Sequence, residues 1–142
     1  MPLINQDAAV LTAICHIVTP IGNLGYGFDE SLTAQELSRL VPSGVPTAII
    51  LDSGSTDSGP EKLALGTMTC PRSAYVNDLT KLLRLVHTFR VSLIFGSAGG
   101  DGSDDHVELM REICEEIVAA EGNEYDCLPA RIIENTHLTA LQ

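Results

Sequence analysis

Three short apolar runs in this chain are each followed by a loop that is rich in glycine or in small polar residues. The runs cover residues 13–18, 47–51 and 91–95, and the loops cover 22–28, 52–60 and 96–105. The run at 47–51 has no polar alternation, which is typical of a parallel strand buried on both faces. Parallel strands of an open sheet end at a common edge, where such sheets bind their ligands. The pattern therefore predicts that the three loops converge and line one site.

Apolar residues at helical spacing lie between and after these runs. They predict a first helix capped by Thr33, a second that begins near Pro71, and a third that begins at Asp104 or Asp105, with Asp105 as its cap. A fourth strand is expected at about 130–134. The resulting order, β-α-β-α-β-α-β, predicts a single α/β domain over residues 1–142 with a mainly parallel sheet of about four strands.

The last predicted strand is followed by too few residues for the helix that would cover it in a doubly wound sheet. We therefore expect a fragment or split subunit of a longer chain, and hence part of a larger architecture. One face or edge of the sheet should then be incompletely covered. That surface is expected to bind a second copy of the chain or a complementary subunit.

Charge and cysteine content narrow the function classes. A formal net charge of -11 at pH 7 argues against nucleic acids and anionic membranes as partners. No apolar run approaches the roughly 20 residues of a membrane helix, and the first residues lack the basic start of a signal peptide, so a cytoplasmic protein is expected. The four cysteines form no CxxC motif, which favours free buried thiols over structural zinc or disulfides.

Acidic and hydroxyl side chains are concentrated in loop 52–60. Asp52 and Asp57 could bind a divalent cation, or one of them could act as a general base. The neighbouring hydroxyls could hold a carboxylate or a phosphate. Ser55 lacks the Gly-x-Ser-x-Gly setting of a hydrolase nucleophile. The alternative is a turn whose Asp and Ser side chains cap their own backbone.

The other two loops are rich in glycine but lack a complete phosphate-binding motif. Residues 22–27 have the order Gly-x-x-Gly-x-Gly, which is not the dinucleotide fingerprint, and loop 96–105 has no P-loop lysine. Each is compatible with an ordinary turn, although loop 96–105 precedes a helix N-terminus that could seat an anion. Its aspartates would repel phosphate unless a metal intervenes. His106, in the first turn of that helix, could be a base, a ligand or simply an exposed residue.

The predicted site combines carboxylates with hydroxyl groups and backbone donors. The predicted catalytic residues are Asp52, Asp57 and Ser55. The predicted ligand-binding residues are Gly25, Tyr26, Gly27, Ser53, Gly54, Thr56, Gly96, Ser97, Gly99 and Gly100. The cofactor stays open, with a divalent cation as one candidate.

Three motifs of this sequence resemble the N-terminal region of the acyclic terpene utilisation (AtuA-like) family. They are Gly-Tyr-Gly-Phe at 25–28, Asp-Ser-Gly-Ser-Thr-Asp-Ser-Gly-Pro at 52–60 and Gly-Ser-Ala-Gly-Gly at 96–100, and the resemblance covers roughly residues 14–122. The middle motif is the longest and most specific. The resemblance implies a catabolic protein linked to the breakdown of branched acyclic terpenoids such as citronellol and geraniol, from a family of longer chains. It assigns no catalytic residues.

The residues and the resemblance together support three hypotheses of function. The first is a catabolic enzyme, or a subunit of one, that acts on a branched carboxylic acid or its thioester. Lyase, hydratase or isomerase chemistry suits carboxylates and hydroxyls without an evident nucleophile. The second is a non-catalytic module that binds a small molecule or a nucleotide. The third is a structural subunit whose site is completed by a partner chain.

Overall fold

The computed structural model describes residues 13–55 and 57–121. Within them the chain forms three strands and four α-helices. The strands are β1 (His16–Val18), β2 (Thr47–Leu51) and β3 (Ser92–Phe95). The helices are α1 (Glu30–Leu40), α2 (Gly59–Leu65), α3 (Arg72–Phe89) and α4 (Asp104–Ala120).

The three strands form a parallel sheet in the order β1-β2-β3. The register aligns Val18 with Ile49 and Ile49 with Leu93. The prediction of an α/β fold with parallel strands is confirmed for these three. The predicted fourth strand at about 130–134 lies outside the described residues, so the four-stranded sheet remains a prediction.

The order of elements differs from the prediction at one point, because the short helix α2 precedes α3 between β2 and β3. It follows Ser58, contains Pro60 in its first turn, and is followed by Gly66 in the left-handed region. Two of its leucines, Leu63 and Leu65, are exposed. The helix therefore lacks a clear apolar stripe, which is why no helical period is visible in this part of the sequence.

Only one face of the sheet is covered by helices in the described part of the chain. Ile49 and Leu51 are buried on that face, while Val18, Leu93 and Phe95 pack against the same core. On the opposite face Ile50 is half-buried and Ile94 is exposed, so the prediction that the strands are buried on both faces is wrong within the described residues. With the strand order 1-2-3, right-handed crossovers carry α1 and α3 to the same side of the sheet.

Two helices begin at residues other than the predicted caps. Asp29 caps α1, since its Oδ1 accepts hydrogen bonds from the backbone N–H groups of Ser31 and Leu32. Thr33 lies inside that helix and its hydroxyl donates to the Asp29 carbonyl. Helix α4 starts at Asp104, one of the two predicted first residues, but its cap is Ser103 rather than Asp105. The predicted boundary at Pro71 agrees with the position of α3, which starts at the next residue.

The core lies between the covered face of the sheet and the helices. It is formed mainly by aliphatic side chains of β2, α3 and α4, together with Tyr75. In the part of the chain that the structure describes, no helix combines the length and apolar character needed to cross a membrane.

Candidate functional site

The carboxyl ends of the strands bring the three small-residue loops into direct contact. Asn23 and Asp52 form an isolated parallel bridge, in which the Leu24 N–H donates to the Asp52 carbonyl at 2.8 Å. The Asn23 side chain also donates to the Gly54 carbonyl at 2.8 Å. On the other side, the Gly96 N–H donates to the Leu51 carbonyl. Loops that are distant in sequence thus extend the sheet beyond its last residues.

Ser53 links the loop after β2 to the loop after β3. Its hydroxyl donates to the Gly96 carbonyl at 2.5 Å and accepts from the Gly99 N–H at 2.7 Å. The residue is fully buried. Both hydrogen-bonding roles of the hydroxyl are used inside the protein, so the hydroxyl joins the two loops, and a contact of Ser53 with a ligand stays a prediction.

Gly54 and Gly99 occupy places where a side chain has no room. A Cβ at Gly54 would lie 2.4 Å from the Ser97 Cβ and 2.5 Å from the Gly100 carbonyl oxygen. A Cβ at Gly99, where φ is +83°, would lie 2.5 Å from the end of Met110. These predicted ligand-binding glycines therefore serve the close packing of the loops against each other.

The loop after β1 is held by Asp78, a residue of α3 that sequence reasoning missed. The Asp78 carboxylate accepts from the N–H groups of Gly25 at 2.9 Å and Gly27 at 3.0 Å. It is fully buried. The signal was a charged residue three positions after Tyr75 and four before Leu82, on the buried stripe of the helix.

Several backbone N–H groups of the three loops are used within the protein. Asp52 Oδ1 accepts from its neighbours Ser53 and Gly54, as in the alternative of a turn that caps itself. In the loop after β3, the N–H groups of Ala98, Gly99, Gly100 and Gly102 also have partners in the protein. These donors are therefore not available to bind an anion.

The side chains left open at this edge are mostly polar. Asp52 is exposed, and its carboxylate lies 3.6 Å from the position that a Cβ on Gly96 would take. Tyr26, Asp57 and Ser97 are exposed and Ser55 is half-buried, while Thr56 lies outside the described residues. This set can accept or donate protons and can offer oxygen ligands to a hard cation.

Two further observations concern atoms that a ligand could meet. Asn23 Oδ1 is buried and has no hydrogen-bond partner among the described residues, so it is an acceptor for a donor that reaches this edge. No group of three or more His, Cys, Asp or Glu side chains suited to a metal ion occurs in residues 13–55 and 57–121. A cation at this edge would thus take some of its ligands from its substrate or from water.

Asp101 and His106 form a buried pair where the loop after β3 enters α4. The distance from Asp101 Oδ1 to His106 Nδ1 is 2.6 Å. His106 is buried and its ring packs on Gly100, so the alternative of an exposed residue is wrong. Because the carboxylate is an acceptor, Nδ1 carries the hydrogen and Nε2 is left as the basic atom of the neutral ring.

Asp101 gives the stability of this loop a defined pH dependence. Hydrogen bonds from the side chain and backbone of Ser103, and then from His106, lower the pKa of Asp101 from 3.8 to about 2. The stabilisation is complete above the pKa of the unfolded chain and is lost as the pH falls from about 4 towards 2. As the pH falls from about 4 towards 2, the free energy of unfolding of Asp101→Asn should therefore decrease less steeply than that of the unmodified protein. Urea denaturation at several pH values measures this difference.

Because other carboxylates titrate in the same range, the informative quantity is the difference between variant and unmodified protein. Asp104→Asn is the matched control, since Asp104 is an exposed residue at the start of α4. The interpretation is wrong if the Asp101→Asn curve runs parallel to that of the unmodified protein.

The Tyr75 side chain contacts the loop after β3. The Tyr75 hydroxyl donates to the Gly99 carbonyl and accepts from the Cys70 N–H, each at 3.0 Å, and burial raises the pKa of Tyr75 to about 12. Three cysteines are free thiols, of which Cys15 is exposed and Cys70 and Cys114 are half-buried. The prediction of burial is thus wrong for Cys15, while Cys127 lies outside the described residues. Burial raises the pKa of Cys114 to about 11.

A separate groove of about 240 Å³ lies between α3 and α4. It is lined by Arg72, Val76, Thr80, Glu116, Ile117, Ala120 and Glu121. Arg72 and Glu116 form an exposed ion pair beside it. None of the predicted site residues lines this groove, so it does not add to the site at the strand ends.

Comparisons of the chain with protein-family models, with curated proteins and with solved structures found no match. The resemblance to the acyclic terpene utilisation family therefore stays a prediction that rests on the three motifs.

Proposed function

We propose that this chain is a catabolic enzyme or enzyme subunit that binds a branched carboxylic acid, or its thioester, at the carboxyl edge of the sheet. The observation that carries the proposal is that hydrogen bonds hold the three loops in fixed positions. Ser53 and Asp78 fix the loop backbones from inside, and this leaves the Asp52 carboxylate exposed at the edge. Fixed polar groups beside an open edge are what a binding site requires.

The open side chains suit proton transfer better than nucleophilic attack. Asp52 and Asp57 are the candidate bases or cation ligands, while Tyr26, Ser55 and Ser97 are candidate donors to a carboxylate or carbonyl oxygen. Removal, addition or relocation of a proton next to a carboxyl group corresponds to lyase, hydratase or isomerase chemistry. The resemblance to a terpenoid-catabolic family supports the same class of substrate.

The charge of the site sets a condition on binding. Two unit charges 4 Å apart repel by about 4 kcal/mol near a protein surface. An acid ligand next to Asp52 therefore requires a divalent cation between the carboxylates or protonation of one of them. We expect the affinity to increase with magnesium or at low pH.

A second candidate is a non-catalytic binding or structural subunit. The observation that favours it is the internal use of several loop amides, which are then not available to a ligand. This use disfavours a nucleotide, whose phosphates would need such donors. In the described residues β1 and β3 are the sheet edges, so a partner chain that completes the site would add next to one of them.

Asp52→Asn tests the proposed site by calorimetric titration of citronellic acid, a branched terpenoid acid, with and without magnesium at two pH values. The amide oxygen can still accept the two loop N–H groups, so the turn should be retained while the charge is removed. We expect the variant to lose the dependence on magnesium and pH, with a change of about tenfold in affinity, or ~1.4 kcal/mol.

Glu112→Gln is the control, since it removes one charge from an exposed position in the middle of α4. Binding that does not change with magnesium, with pH or in Asp52→Asn would refute this account of the site.

If binding follows the expectation, the Asp57→Asn variant distinguishes the enzyme from the non-catalytic binding module. Loss of turnover with retained binding supports the enzyme, whereas absence of turnover in the unmodified protein under every partner condition supports the binding module.

A further inference from the structure

The side of the sheet opposite the helices carries an apolar surface, here called the open face. It consists of Ile17, Ala48, Ile50, Ser92 and Ile94. Ile17 is 60% exposed and Ile94 is 46% exposed. None of the five carries a charge. The open face therefore presents aliphatic side chains to solvent within the described part of the chain.

The strand register makes these side chains one continuous surface. Ile17 is aligned with Ala48, and Ala48 with Ser92, across all three strands. In the next row Ile50 is aligned with Ile94. Residues aligned on neighbouring strands lie about 4.8 Å apart, so the three isoleucines and Ala48 form a single patch.

Helices α1, α3 and α4 pack on the other side of the sheet. Helix α1 contacts β1 and α3, and α3 contacts β3 and α4. None of the open-face residues belongs to the core that these helices build. Whatever covers the open face must therefore come from outside residues 13–55 and 57–121.

The small size of the open face favours a segment of the same chain, rather than a separate protein, as the part that covers it. The three strands have 3, 5 and 4 residues. With strands about 4.8 Å apart and a rise of about 3.3 Å per residue, the footprint is about 10 Å wide and at most about 16 Å long. A stable protein interface needs about 800 Å² from each partner. A segment of the same chain can occupy so small a patch, because it loses little translational and rotational freedom on docking.

We propose that residues 1–12 pack on the open face. They adjoin β1, and the connecting residue Ile14 is 87% exposed and apolar. Seven of the twelve are apolar, namely Met1, Leu3, Ile4, Ala8, Ala9, Val10 and Leu11, and one, Asp7, is charged. Twelve residues span about 18 Å even as a helix, which is enough to cross three strands.

The other candidate within the chain, residues 122–142, fits this surface less well. It carries four charged residues, Glu124, Asp126, Arg131 and Glu134. Placing such groups on an uncharged aliphatic patch costs free energy because they would lose hydration without gaining a partner. We therefore assign the open face to residues 1–12, which carry one charged side chain, rather than to residues 122–142, which carry four.

The experiment measures solvent access to methyl groups of the open face in the full-length chain. Isoleucine and leucine methyls are isotope-labelled, and a gadolinium chelate in solution enhances the relaxation of those that solvent can reach. Leu32 on α1 is the exposed reference. We expect Ile17 and Ile94 to relax more slowly than Leu32, and to reach its rate in Val10→Asp, which places a charge in the segment.

Gln6→Asp is the matched control, because it adds the same charge at a polar position and should leave both isoleucines protected. The buried Ile113 should stay protected in every variant, which shows that the fold is intact. The proposal is overturned if the methyl groups of Ile17 and Ile94 relax as fast as those of Leu32 in the unmodified chain. If Ile132→Asp removes the protection, the proposal is also overturned and residues 122–142 cover the face. If the protection disappears on dilution, the proposal is overturned and a second copy of the chain covers it.

Discussion

Asp78→Ala is expected to lower the free energy of unfolding by about 2–6 kcal/mol, since it leaves two buried N–H groups without an acceptor at about 1–3 kcal/mol each. Those groups belong to Gly25 and Gly27, and the carboxylate that now accepts from them is fully buried. A domain of this size is typically stable by only about 5–15 kcal/mol. Urea denaturation should therefore show a clear drop in the transition midpoint.

Asp78→Asn and Glu112→Ala are the controls for this prediction. The amide oxygen that Asp78→Asn introduces keeps an acceptor in place, so this variant should lose less stability than the alanine variant. Glu112 is exposed on α4, and removing its carboxylate should change stability little. An Asp78→Ala protein as stable as the unmodified one would contradict the role of this carboxylate in holding the first loop.

Gly54→Ala is the second change with a large expected effect. The new Cβ would lie 2.4 Å from the Ser97 Cβ and 2.5 Å from the Gly100 carbonyl oxygen. Both contacts involve the backbone or the first atom of a side chain, so they cannot be relieved by rotating a flexible group. We expect a loss of about 3 kcal/mol, the upper end of the range for overpacked positions, again measured by urea denaturation.

Because the loops after β2 and β3 meet at Gly54, this substitution should also weaken binding of citronellic acid if the acid binds at the strand ends. Gly22→Ala is the matched control, since no atom lies within 4 Å of its new Cβ. Stability equal to that of the Gly22→Ala protein would show that the two loops separate easily, against the close packing described here.

The sequence was sufficient for local structure wherever one periodic signal dominated. The apolar runs identified β2 and β3 as adjacent parallel strands, and the stripe after Pro71 identified α3. It was not sufficient for α2, whose exposed Leu63 and Leu65 break the amphipathic pattern. It also misplaced the cap of α1, because Asp29 and Thr33 are both good capping residues and the neighbouring backbone decides between them.

Of the candidate site, the sequence identified the loops but not the roles of their residues. Strand direction brings distant loops to one edge, and this follows from the pattern of strands and crossovers. Whether a hydroxyl or an amide in those loops faces a ligand or the protein depends on contacts between them. Ser53 was expected to bind a ligand, yet its hydroxyl joins Gly96 to Gly99.

Only the tertiary structure showed how buried polar groups are paired and which face of the sheet is covered. Asp78 lies 53 residues from Gly25, and the helix and loop that carry them come together only when α3 packs beside the sheet. The sequence predicted an incompletely covered face or edge but not which residues form it, since Ile50 and Ile94 are as apolar as Ile49 and Leu93. An apolar run predicts that a strand can be buried, whereas the handedness of the crossovers decides which of its faces receives the helices.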